Sequence, residues 1–108
     1  MTVYVDDVRH TFGRMVMCHM WADTLDELHA MAAKCGLKRE WFQEPPKASW
    51  CHYDVSLGVK ARALYLGAEL TDMFGPNDHE ARRLGDDARR LRYAEARARR
   101  LDRMLAGD

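Results

Sequence analysis

The longest apolar run in the chain extends from Met15 to Ala22 and contains no turn-forming residue. A run of this length predicts a buried central strand, from about Arg14 to Ala22. Alternate residues of a strand point to opposite faces, so His19 shares a face with Trp21, and Cys18 lies on the other face. A buried histidine needs a partner, because an unpaired polar group costs about 1–3 kcal/mol. The run therefore predicts a polar site within the sheet.

Shorter segments predict the rest of the sheet. Thr2–Val5 is β-branched and aromatic, and it is followed by two carboxylates, Asp6 and Asp7. Further strands are predicted at Glu40–Gln43, at Trp50–Val55 and, as a short edge strand, at Ala68–Thr71. Loops are expected at Val8–Gly13 and at Glu44–Ser49, where Pro45-Pro46 stops the preceding strand.

Two helices with capping signals separate these strands. Thr24 followed by Glu27 three residues later is a capping box, and it predicts a helix from Leu25 to Lys34 that ends before Gly36. Ser56 can cap a second helix from Leu57 to Leu66. The predicted fold is α+β: a small mixed sheet of three to five strands packed by two helices, plus a long C-terminal helix.

Glycine, proline and asparagine in Gly75–Asp78 predict a linker between an α+β body, residues 1–74, and a C-terminal segment, residues 75–108. The segment after the linker is rich in alanine, arginine and leucine. Leu84, Leu91, Ala98 and Leu105 recur every seven residues there. This heptad seam predicts a helix that packs either on its own body or on a second copy in a homodimer.

Composition fits an ordinary soluble domain, with a formal net charge of +0 and 47% hydrophobic residues. No apolar run is long enough for a membrane span, and the N-terminus lacks a signal-peptide pattern. The three cysteines are odd in number and widely spaced, so we expect reduced thiols and a cytoplasmic location. Without a CxxC or HxxxH pair, no structural zinc site is predicted.

Charge is unevenly distributed along the chain. The segment from His79 onward contains nine arginines and six acidic residues, so its net charge is +3 and that of the preceding residues is −3. A basic tail permits a nucleic-acid partner through backbone contacts. The interspersed acidic residues favour a solvated helix face instead.

Histidines and carboxylates near the predicted strand ends form the candidate site. The candidate catalytic residues are His19, His52, Asp6 and Asp54. The candidate ligand-binding residues are Asp7, Asp23, Tyr53 and Arg62. Histidine titrates near neutral pH and suits acid–base catalysis. The same imidazole and carboxylate groups could hold a divalent metal, but no residue is assigned as a metal ligand and the cofactor is unknown.

Each of these residues also has a structural interpretation. Asp23 can assist the cap of the first helix. His19 can be a core histidine bonded to a main-chain carbonyl or to Asp54, and His52 can fix the proline-containing loop. Cys18 lies in the most apolar run, which indicates an inert thiol.

Several separated motifs resemble those of one small family of bacterial and phage proteins, Domain of Unknown Function 4031. The motifs are Tyr4-Val5-Asp6-Asp7, Gly13–Met20, Ala22-Asp23-Thr24, Glu27–Ala32, Trp41-Phe42-Gln43 and His52-Tyr53-Asp54. The candidate polar residues fall largely inside these motifs, and the arginine-rich tail lies outside them. The resemblance implies no activity.

The sequence leaves three functions open. The first is a hydrolase acting on a nucleotide or another phosphorylated compound. The second is a non-catalytic nucleotide- or ligand-binding module that uses the same pocket. The third is an interaction protein that forms a homodimer through its C-terminal helix. None of the three involves a membrane.

Overall fold

The computed structural model describes residues 2–107, and the chain divides into two compact units, one up to residue 73 and one from residue 74 onward. The first unit consists of β1 (Val3–Val5), β2 (His10–Phe12), β3 (Met15–Ala22), α1 (Leu25–Lys34), a 3-10 turn (Arg39–Trp41), β4 (Tyr53–Ser56), α2 (Leu57–Tyr65) and β5 (Glu69–Leu70). The second unit consists of α3 (Gly75–Leu84) and α4 (Asp87–Leu105). The predicted α+β class, with a mixed sheet and a long C-terminal helix, is confirmed.

The apolar run forms β3, which is the centre of the sheet as predicted. It pairs antiparallel with β1 and β2 along one edge and with β4 along the other, and β5 adds parallel to β1. Strands β2 and β3 form a hairpin with the two-residue turn Gly13-Arg14, in which Gly13 has φ +62°. A glycine with positive φ at the first turn position matches the right-handed twist of the flanking strands.

One face of this sheet forms the hydrophobic core. Cys18 and Met20 of β3 and Val55 of β4 are completely buried there, and α1 and α2 pack against β3. Helix α1 begins as predicted, because the Thr24 hydroxyl accepts a hydrogen bond from the Glu27 amide at 3.3 Å. The side chains at the alternate positions of each strand, His19 among them, point to the opposite face of the sheet.

Two short segments were predicted with the wrong type of structure. The Glu40–Gln43 segment is mostly a 3-10 turn, and only Gln43 reaches the sheet, where its backbone forms an isolated bridge with His52. The predicted loop between Val8 and Gly13 contains β2 instead. A short strand of mixed polarity gains its order from pairing with a long neighbour, and the composition of His10–Phe12 alone does not reveal that pairing.

The second unit also differs from the sequence pattern. Gly75–Asp78, expected to be a linker, forms the first turn of α3, where proline is tolerated because the first helical amides need no intrahelical acceptor. Gly85, with φ +68°, ends α3, and the Asp86 side chain caps α4. Leu84 therefore belongs to a different helix from the other residues of the predicted seam. The division into domains 1–74 and 75–108 stays a prediction.

Within residues 2–107, no helix combines the length and the apolar character that crossing a lipid bilayer requires.

Candidate functional site

A cluster of polar side chains lies on the face of the sheet opposite the core. Strand register explains why they share this face. His19 is directly opposite Asp54 of β4, and His10 is directly opposite Met17, two residues before His19. His52 precedes Asp54 by two residues and continues the same face. β3, β2 and the residue that leads into β4 thus bring three imidazoles towards one carboxylate.

His19 is held by a buried carboxylate. Its Nδ1 lies 2.7 Å from Oδ2 of Asp6, and its backbone amide donates to Oδ1 of the same side chain at 3.0 Å. The Asp6 side chain is completely buried, and the Asp6 backbone amide in turn donates to the carbonyl of His19 at 3.1 Å. The short contact with Asp6 occupies Nδ1 of His19. Nε2 is therefore presented towards the cluster.

His52 is held in the same way by a main-chain group. Its Nδ1 lies 3.0 Å from the carbonyl oxygen of Trp50, which can only accept, so Nδ1 donates and Nε2 faces the cluster. The Trp50 ring stacks on the imidazole with 4.1 Å between centroids. The backbone bridge to Gln43 fixes the main chain at this position, with hydrogen bonds of 2.9 and 3.0 Å. Both rings therefore have one nitrogen anchored and the other directed inward.

The inward nitrogens converge on a single oxygen. Nε2 of His52, His10 and His19 lies 3.5, 3.8 and 3.9 Å from Oδ1 of Asp54. The other oxygen of Asp54 accepts a 2.7 Å hydrogen bond from the Gln43 side-chain amide, which orients the carboxylate. The ligand atoms of His10, His19 and Asp54 all lie within 4.8 Å of one another, a spacing that could hold a metal ion.

The cluster is open to solvent on one side. The side chains of His10 and Asp54 are 35% and 31% exposed, whereas that of His52 is 7% exposed. Nε2 of His10 is itself buried and has no hydrogen-bond partner within residues 2–107. The His10 ring stacks on that of His19, with 5.0 Å between centroids. A buried polar atom without a protein partner needs an explanation, and an ion or a water molecule in contact with it is one.

Burial and the neighbouring carboxylates shift the pKa values of two of these histidines in opposite directions. Burial lowers the pKa of His19, but the hydrogen bond to Asp6 and the charges of Asp6 and Asp54 outweigh it, so the net pKa is raised. Burial dominates for His52 and lowers its pKa, despite the bond to the Trp50 carbonyl and the charge of Asp54. The site thus contains one imidazole with a raised pKa beside another with a lowered pKa.

All four candidate catalytic residues, His19, His52, Asp6 and Asp54, therefore lie in this cluster. The four candidate ligand-binding residues do not join it. Asp7 is exposed, and Asp23 accepts from the backbone amide of Thr2 and from the hydroxyl of Tyr4. Alternation along β4 places Tyr53 on the core face, where its hydroxyl contacts His29. Arg62 of α2 donates to the carbonyl of Lys34 at the end of α1.

Cys18 lies on the core face of β3 and is completely buried. Burial raises the pKa of its thiol, although Lys60, 3.9 Å away, acts in the opposite direction. This protonated, enclosed thiol lies apart from the polar cluster.

Sequence reasoning missed two residues of the site, His10 and Gln43. For His10 a signal was present, because Gly13 directly before the apolar run is a residue that two-residue hairpin turns favour. In a hairpin with this turn, Phe12 pairs with Met15 and His10 pairs with Met17. His10 therefore lies on the same face of the sheet as His19. For Gln43 we find no local signal, because its contacts come from a bridge between distant segments.

Comparison with known families places this cluster within a recognised domain. A family model described as Protein of unknown function (DUF4031) matches residues 3–84. The chain belongs to this family. Every residue of the polar cluster lies inside the matched range, and α4 lies outside it. Neither the curated proteins nor the solved structures contain a match to the chain.

Proposed function

We propose that this DUF4031 protein binds one divalent transition-metal ion of the zinc type through His10, His19 and Asp54, and that it uses the ion for hydrolysis. The observation that carries the proposal is the convergence of three imidazole nitrogens on one carboxylate oxygen. Imidazole and carboxylate are suitable ligands for such ions.

Hydrogen bonding on the far side of each ring supports a cation at the centre. Nδ1 of His52 donates to a carbonyl, so in the neutral ring Nε2 carries a lone pair, and it faces the lone pairs of Asp54 at 3.5 Å. His19, anchored by Asp6, also directs its Nε2 towards Asp54, at 3.9 Å from Oδ1. Acceptors that face each other are unfavourable unless a proton or a cation lies between them. A carboxylate behind a ligating histidine is also the usual outer support of a metal site.

The spacing also suits a tetrahedral ion. Ligand bonds of about 2.0–2.1 Å imply about 3.3–3.4 Å between neighbouring ligand atoms. The separations of 3.8 and 3.9 Å from Asp54 Oδ1 to His10 and His19 are close to this value. Three protein ligands leave a further position open, as in catalytic rather than structural zinc sites. Exposure of His10 and Asp54 gives that position access to solvent.

The side chains around the proposed ion also suit hydrolysis. The ion, when bound, supplies Lewis acidity and lowers the pKa of water to about 7. His52, whose Nε2 lies 3.5 Å from Asp54, is placed to accept and return a proton. Asp6 orients His19, and Gln43 orients Asp54. The proposed substrates are nucleotides or other phosphorylated compounds, and the Trp50 ring beside His52 offers a stacking surface for a base.

Metal binding and turnover can be tested together. Chelator-treated protein dialysed against zinc should retain one ion per chain, and cobalt should give the absorption of a tetrahedral nitrogen–oxygen site. Hydrolysis of a panel of phosphomonoesters and phosphodiesters should then require restored metal. His10→Ala should lose the ion, whereas His79→Ala, in α3 and outside the cluster, should retain it. Retention of less than a tenth of an equivalent by the unmodified protein would contradict metal binding.

A second candidate is metal-free acid–base hydrolysis, which is favoured by the 2.7 Å contact between His19 and Asp6. It predicts activity that survives the chelator and is lost in His19→Gln. A non-catalytic ligand-binding module would instead show melting shifts with nucleotides and no turnover under either condition.

A further inference from the structure

Helix α4 has two dissimilar faces. Its partly buried face is formed by Arg89, Tyr93, Ala96, Arg97 and Arg100, and Arg97 contacts Asp78 of α3 at 3.7 Å. The opposite face is apolar and exposed, and it consists of Leu91, Ala94, Ala98, Leu101 and Leu105. The three leucines are 61%, 54% and 76% exposed. An exposed apolar stripe with this spacing is typical of a coiled-coil seam.

Charged residues border the seam in an ordered way. Arg90 and Arg97 lie along one edge, and Glu95 and Asp102 lie along the other. With Leu91, Ala98 and Leu105 at heptad position a, the two arginines occupy g and the two acids occupy e. One edge is therefore basic and the other acidic within the same helix.

We propose that this seam pairs with the same seam of a second copy in a parallel, in-register coiled coil. In a parallel pair each g residue faces the e residue of the next heptad on the other helix, which places Arg90 against Glu95 and Arg97 against Asp102. Two-fold symmetry makes four such attractive contacts. An antiparallel pair would place arginine against arginine and acid against acid. A helix that carries both complementary edges fits a copy of itself, whereas a different partner of one charge would match only one edge.

The helix is long enough for pairing but not for strong pairing. Its 19 residues span about 28 Å and contain about two and a half heptads. Alanine at two of the five seam positions reduces the buried apolar area. Arg97 already contacts Asp78, so the contact between Arg90 and Glu95 is the cleaner one to perturb. We expect a reversible dimer that forms at micromolar to millimolar concentration.

Charge reversal in the 108-residue chain tests both the surface and the orientation. Sedimentation equilibrium of the unmodified chain should show the 12.5 kDa mass approach twice its value as concentration rises. Arg90→Glu and Glu95→Arg should each weaken dimerisation about tenfold, because either change turns two attractive contacts into two repulsive ones. The double variant Arg90→Glu/Glu95→Arg should restore it. Arg99→Glu, an exposed residue away from the seam, makes the same charge change and should have little effect.

Three results would overturn the proposal. A constant monomer mass up to millimolar concentration excludes pairing. A dimer that tightens in Arg90→Glu indicates the antiparallel arrangement, in which the new acid would face Arg97. A dimer insensitive to either reversal forms through another surface. Circular dichroism of each variant separates these results from loss of the helix itself.

Discussion

Replacing Asp54 by asparagine should remove most of the stabilisation that zinc gives, while the metal-free protein remains folded. Asp54 is where the three imidazole nitrogens converge, at 3.5 to 3.9 Å from Oδ1. A carboxamide has nearly the same shape and can still accept the hydrogen bond from Gln43. Its amino group would then face the imidazoles as a donor, which suits their lone pairs but repels a cation.

The expected magnitude follows from binding linkage. Free zinc at 100 times its dissociation constant raises the free energy of unfolding by about 2.7 kcal/mol, which corresponds to about 10–20 °C in Tm for a domain of this size. If loss of the carboxylate weakens binding about 100-fold, the same zinc concentration gives only about 0.4 kcal/mol. Without metal, Asp54→Asn should change the free energy of unfolding by less than about 1 kcal/mol, because one hydrogen bond is kept and the side chain is partly exposed.

Urea unfolding monitored by tryptophan fluorescence, with zinc and with a chelator, measures both quantities. Asp7→Asn is the matched control, because it removes the same charge from an exposed side chain outside the cluster and should leave the zinc effect intact. A full zinc increment in Asp54→Asn, or no increment in the unmodified protein, would refute the reasoning. A collapse of metal-free stability in Asp54→Asn would mean that the carboxylate holds the fold rather than an ion.

Three further predictions concern the residues around the cluster. Gln43→Ala removes the side chain that orients Asp54 but keeps the backbone bridge to His52. Zinc affinity measured by competition titration should fall about 10–100-fold. The free energy of unfolding of the metal-free protein should change little. Asp6→Asn replaces the buried carboxylate beside His19 with an amide that pairs less well with the ring. Urea unfolding in the presence of chelator should show that the free energy of unfolding falls by about 1–3 kcal/mol. An unchanged unfolding midpoint would contradict the role of this pair. Burial lowers the pKa of His29 in the folded protein below its ordinary 6.5. The unfolded chain therefore binds a proton more readily, and the free energy of unfolding falls as the pH drops below about 6.5. His29→Gln should make this decline less steep in urea unfolding measured across that pH range.

The sequence by itself determined the elements whose signals are local. The apolar run from Met15 to Ala22 specified the central strand, because alternation depends only on neighbouring residues. The pair Thr24 and Glu27 specified the start of α1, because a cap is formed within one turn. The turn at Gly13-Arg14 held the information for the hairpin that carries His10, although we interpreted that stretch as a loop.

Tertiary structure alone decided which distant side chains meet. His19 and Asp54 are far apart in the chain, and they face each other only because β4 pairs with β3 in one register. That register is favoured because it buries Cys18 and Val55 together on the core face, and a slip of one residue would turn every side chain of β4 to the wrong face. The same burial directs Tyr53 away from the site. Periodicity therefore gave His19 a face, whereas packing of the core on the other side of the sheet brought the three histidines into one cluster.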